Sequence, residues 1–118
     1  MGKYREIARD LREPAKSLRE AQPETFAAFG ALHEATMADG EISAKTKELI
    51  ALALSVVKHC DGCIVAHARG AARRGATDAE VAEALGVAVM MDGGPATVWA
   101  PRAWEAFQEF AHPEPTSG

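Results

Sequence analysis

The stretch Glu48–His67, ELIALALSVVKHCDGCIVAH, decides how this chain is read. Its first half, Leu49 to Val57, carries no charge. Leu49, Ile50, Leu52, Leu54, Val56 and Val57 cover more than one face of a helix, the pattern of an element buried on most sides. Ser43 is a suitable N-cap, so the spacing predicts a helix from about Ala44 to Lys58. In so short a chain such a helix is central, with a second subunit closing off part of it. His59–Gly62 then forms a turn, and a further helix runs from about Asp61 to Arg74. Its alanines (Ala66, Ala68, Ala71, Ala72) let neighbouring backbones come close, and Gly75 ends it with Arg73 and Arg74 favourably placed for the helix dipole.

Beyond Gly75, Thr77 and Glu80 form a capping box, the clearest helix start in the chain. Val81, Leu85, Ala88, Val89 and Met91 are the expected inner face of that helix, and Gly93-Gly94-Pro95 breaks it. Ala96 to Phe110 follows, with Val98, Trp99, Trp104, Phe107 and Phe110 near helical spacing and expected in the core; Pro101 is expected to kink or restart it. On the other side, Pro23 opens a helix whose apolar face is Phe26, Phe29, Ala31, Leu32 and Met37, ending at Asp39-Gly40. His33 lies on it, by default a surface or core histidine. Tyr4 to Leu11 reads as a short amphipathic arm that Pro14 interrupts. No alternation of strand type and no internal repeat is present. The expectation is an all-α fold of five to six helices forming a single domain over 1–118. Its core spans about 23–110, with a disordered tail over 112–118.

The bulk properties agree. A chain of 118 residues with 47% hydrophobic and 25% charged residues has the composition of one globular domain. A net charge of −4 gives no broad attraction to nucleic acid or to an anionic membrane. The N-terminus is charged throughout, unlike a signal peptide, and no apolar run is long enough to span a bilayer, so a cytoplasmic location is expected. There, a lone C-x-x-C reads as catalytic or metal-binding rather than as a staple.

The chemistry lies in that pair. Cys60 falls at or just before the first turn of its helix, where unpaired N–H groups and the dipole favour a thiolate. Cys63 shares its face, and His67 is four residues on, about 5–6 Å away between Cβ atoms. Glu48 lies about 18 Å before the turn and His67 about 10 Å after it, which leaves direct contact between them open. Three readings follow. The thiols cycle through a disulfide with His67 as base and Glu48 behind it. Alternatively Cys60, Cys63 and His67 hold zinc with His59, Asp61 or Glu48, although the second ligand pair usual for structural zinc is absent. In the third, two buried cysteines fill space. The redox reading leads, with no cofactor and no metal.

The run K-x-K-E-L-I-A-L-A (Lys45–Ala53), then C-x-x-C-x-x-x-H (Cys60–His67), G-A-T-x-x-E (Gly75–Glu80) and G-G-P (Gly93–Pro95) resembles the carboxymuconolactone decarboxylase family. The resemblance is strongest to its alkylhydroperoxidase D-like branch, and it covers about residues 23 to 110 in order. It implies an all-helical fold assembling as trimers or hexamers. It also implies a thiol-dependent peroxidase or disulfide reductase, acting on hydroperoxides or a partner disulfide with a thiol or dithiol donor. The matching site residues are Glu48, Cys60, Cys63 and His67, with Cys63 deprotonated through His67. One position departs: that branch carries a further histidine immediately before the second cysteine, where this chain has Gly62, and His59 is the nearest substitute in sequence. The decarboxylases of the family use no C-x-x-C and are the runner-up reading; a non-catalytic helical assembly module is the third.

Overall fold

The computed structural model describes residues 2–113; the part of the expected disordered tail from residue 114 onward lies outside the described residues. Among the described residues six helices follow in order: α1 (Lys3–Ala21), α2 (Pro23–Met37), α3 (Ala44–Val57), α4 (Asp61–Arg73), α5 (Asp78–Asp92) and α6 (Gly94–Ala111). The described residues contain no strand, so the fold is all-α.

The helix ends are built as their residues dictate. The Ser43 side chain accepts from the Thr46 amide, and Asp39 accepts from the Ala44 amide at 2.7 Å, so two orphan donors of α3 are satisfied. Thr77 and Glu80 form the reciprocal capping box of α5. α4 closes with Gly75 in the left-handed region (φ 81°), its amide and that of Ala76 bonding back to Ala72 and Ala71. This is a Schellman motif. α3 closes in the same way, with the His59 and Cys60 amides bonding to Val56 and Ser55. There the left-handed position is held by His59 (φ 54°) instead of glycine.

α3 to α6 pack into a bundle, with α4 against both α3 and α6. The core joins Leu52 and Val56 of α3, Ile64, Val65, Ala68 and Ala71 of α4, Val81, Leu85 and Ala88 of α5, and Phe107 of α6. α6 presents Ala96, Ala100, Ala103 and Ala106 inward, so the helices of this small core approach closely. α1 is pinned across α4 and α6 at its first turn. Tyr4 is 1% exposed, and the Glu109 carboxylate accepts from the Tyr4 and Arg5 amides at 3.2 and 2.9 Å, an N-cap supplied from α6. Among the described residues the Tyr4 hydroxyl is buried without a hydrogen-bond partner; burial first, then the Glu105 carboxylate beside it, push it well above its ordinary value of 10.0.

Several expectations are corrected. α1 is one 19-residue helix that continues through Pro14, and α6 neither stops nor restarts at Pro101. Both prolines lie on exposed faces of their helices, where the carbonyls four residues earlier that lose their N–H partners are open to solvent. Met91, Val98 and Trp104 are exposed to 74%, 57% and 37%, outside the core in which they were placed. Hydrophobicity alone does not separate a core face from an apolar surface. His112, assigned to the disordered tail, donates through Nε2–H to the Asp78 carboxylate at 2.9 Å.

α2 behaves differently from the rest. It buries no residue, and it touches α1 and α3 only lightly. What fixes it is Lys47 of α3, whose ammonium donates to the Thr36 and Ala38 carbonyls at 2.8 and 2.7 Å. Those are C-terminal carbonyls of α2 that no intrahelical amide satisfies.

Candidate active site

Cys60 stands at the joint between α3 and α4. Its amide completes the Schellman closure of α3, while its sulfur accepts from the Cys63 amide at 3.2 Å and caps α4. The chain therefore cannot move this sulfur without loosening a helix end. Cys60 and Cys63 are joined in a disulfide, their Cα atoms 5.2 Å apart. Both residues are partly exposed. The α4 N-terminus, with its unpaired amides, lies at the Cys60 sulfur and favours negative charge there when the bond is reduced.

His67 is one turn beyond Cys63 on α4. Its Nδ1 meets Oε2 of Glu48 at 2.9 Å, so the contact that chain arithmetic left open is made directly. Gly70 is the reason. A Cβ at Gly70 would collide with the Glu48 carboxylate, which occupies the space that any other side chain would fill. Gly70 and His67 are three residues apart on α4 and so are neighbours on one face. The Glu48 carboxylate, reaching across from α3, takes the place of a side chain at position 70 and meets His67 from there. Glu48 is 8% exposed. An ionised carboxylate only accepts, so His67 donates through Nδ1–H and keeps the Nε2 lone pair for a proton from elsewhere.

The remaining histidines are distributed unevenly. His59 is turned toward α6, where its ring stacks on Trp99 with centroids 4.8 Å apart and planes 4° apart. Gly62 lies under α1, with Leu11 Cδ1 3.5 Å from the position a Cβ would take. His33, the default surface histidine of the sequence reading, faces His67 across α2 and α4. The two rings are 6.4 Å apart between centroids and 16° from parallel. Among the described residues, no group of three or more His, Cys, Asp and Glu side chains is arranged to hold a metal ion. Sequence reasoning passed over Gly70 and gave His33 little weight. The signal for Gly70 was present: a glycine in mid-helix costs roughly 1 kcal/mol against alanine and needs a reason.

Fold and site together define a small all-helical protein whose cysteine pair caps a helix and whose Glu–His pair lies one turn further along it. The family model of the carboxymuconolactone decarboxylases matches residues 23–106. The chain belongs to the carboxymuconolactone decarboxylase family. It is similar to a family member from Legionella pneumophila, solved in its apo form, with a TM-score of 0.89 and 42% identity, covering 92% of this chain and 97% of that one. A Thermotoga maritima member, for which a part in the antioxidative response has been suggested, superposes with a TM-score of 0.73 at 31% identity, covering 92% and 89%. An uncharacterized protein of Cupriavidus necator is 41% identical over 91 residues, which is 77% of this chain and 80% of that protein.

Proposed function

We propose that this protein is a thiol-dependent peroxidase or disulfide reductase of the alkylhydroperoxidase D-like kind, cycling Cys60 and Cys63 between dithiol and disulfide. One observation carries the reading: the disulfide at the start of α4 lies one turn from a histidine whose other ring nitrogen is engaged by a buried carboxylate. In the reduced protein, Cys63 passes its proton to Nε2 of His67, and Glu48 stabilises the imidazolium through Nδ1–H. A thiolate of the pair attacks the hydroperoxide, an S–O bond forms, the O–O bond breaks, and the alkoxide leaves as the alcohol after taking a proton. The second sulfur then displaces hydroxide, which leaves as water, and the S–S bond closes. Two electrons and two protons pass from the thiols to the peroxide. A dithiol donor restores the pair by exchange, and a partner disulfide is reduced by the same route in reverse order.

The suggested antioxidative role of the Thermotoga relative runs in the same direction. The reading includes a homo-oligomer, a trimer or hexamer. Phe29 and Leu32 of α2, Leu54 of α3, and Met90 and Met91 of α5 are each more than half exposed in the single chain, more apolar surface than a lone small domain usually shows. Among the described residues no helix is long and apolar enough to cross a membrane, and the proposed setting is the cytoplasm. Glu48, Cys60, Cys63 and His67 are the proposed catalytic set.

The test is turnover of a hydroperoxide with a dithiol donor. Cys63→Ser is expected to abolish it; turnover unchanged from the native protein would defeat the mechanism.

A further inference from the structure

We propose that His33 of α2 is the second imidazole of this site, exchanging protons between His67 and solvent during the redox cycle. The inference rests on the reading of Cys60 and Cys63 as a redox couple. His67 is committed on one side, since its Nδ1 is held by Glu48 at 2.9 Å. Only Nε2 remains, and it must take a proton from a thiol and release one for each leaving oxygen. The His67 side chain is 21% exposed, which limits direct exchange with water. A neighbouring imidazole that is itself open to solvent removes that limit.

Three positions in the chain are candidates for such a group, and the structure separates them. Position 62, beside Cys63, is a glycine covered by Leu11 of α1. His59 is locked in the turn, stacked on Trp99 of α6. His33 alone is brought to His67, with nearly parallel rings whose centroids lie 6.4 Å apart. In the single chain it is exposed, and so open to exchange. Core packing does not account for its placement, because α2 buries nothing. The polar latch of Lys47 on the α2 carbonyls sets the position of the helix and hence of this ring.

The proton balance is simple. The alcohol and the water take up two protons, matching the two that the thiols lose: His67 collects one from Cys63, the Cys60 proton goes to solvent, and His33 returns an equivalent from solvent to His67. His33 takes a proton from solvent and hands it on to His67 by way of water, or returns it, and gains and loses nothing overall. It touches no reacting atom, and its role is to keep His67 supplied.

Single-turnover oxidation of the reduced protein by a small hydroperoxide tests this with His33→Ala and His33→Gln. Both variants are expected to slow by about 10- to 100-fold, with an unchanged dependence on peroxide concentration. Free imidazole is expected to restore much of the rate in His33→Ala, where the site is open, and little in His33→Gln. A native rate in His33→Gln, or a slow His33→Ala that imidazole does not restore, would reduce His33 to packing and overturn the proposal. Either result leaves the redox reading intact provided the native protein is oxidised. Native thiols inert to the peroxide would overturn both.

Discussion

The α3–α4 hairpin and α2 lie side by side around His67 and are held by different forces. The hairpin contributes Leu52, Val56, Ile64, Val65, Ala68 and Ala71 to the core and carries Glu48 and the cysteines on the same two helices. α2 contributes nothing to the core and is fastened by one lysine. Groups that must hold a fixed distance, such as Glu48 and His67, sit on the densely packed pair. The histidine proposed to exchange with solvent sits on the lightly fastened one. Position in this fold follows the tolerance of the chemistry for motion.

The largest expected effect falls on the hairpin. Gly70→Ala places a methyl group where the Glu48 carboxylate lies. Helix propensity alone would stabilise this variant by roughly 1 kcal/mol. Overpacking is expected to outweigh that gain, with a net loss of about 1–2 kcal/mol in thermal or denaturant unfolding. Separation of Glu48 from His67 is expected to slow turnover by roughly 100-fold. A variant more stable than the native protein and fully active would show that the close approach at Gly70 serves nothing.

An intermediate effect separates α2 from the hairpin. Lys47→Met removes two charge-assisted hydrogen bonds and keeps most of the side-chain bulk. Local protection of the α2 amides in hydrogen exchange is expected to fall by about 1.5–3 kcal/mol, while α3 and α4 stay protected. Loss of protection throughout the chain would mean that α2 is part of the same cooperative unit.

Much of this arrangement was legible in the residues. Ser43, the Thr77–Glu80 pair, Gly75 and Gly93 mark helix ends by local chemistry, and the structure places the ends within a residue or two of those marks. The cysteine spacing likewise placed both sulfurs at the start of α4. What was not legible depends on packing between elements. Pro14 and Pro101 lie on exposed faces of their helices, and only the fold shows which face each occupies. Met91 and Val98 are as apolar as Leu85 and Phe107, and only the fold distinguishes their faces. The direct Glu48–His67 contact required knowing that Gly70 leaves room for a side chain from another helix. His33 and His67 are 34 positions apart, and nothing local to either announces the other.

The smallest expected effect concerns α1, which anchors on the same α4. The neutral Tyr4 hydroxyl is favoured in the folded protein, where its titration lies above the ordinary 10.0. Its contribution to stability is therefore complete below pH 10 and is lost as pH rises beyond that value, because the unfolded chain ionises there first. Unfolding midpoints measured from pH 8 to 11 are expected to fall at the alkaline end. In Tyr4→Phe that fall should be shallower, with little change at pH 7, since the hydroxyl has no partner to lose. An identical alkaline slope in both proteins would place its source elsewhere.

The proposed cycle depends most on the two cysteines acting as one redox couple. The most direct measurement is a count of free thiols per chain after full reduction and again after one equivalent of a hydroperoxide. The chain holds two cysteines. Two thiols are expected at first and none afterwards, lost together and without cross-linked chains on a non-reducing gel. Two thiols persisting after the peroxide, or chains joined through a single cysteine, would contradict it.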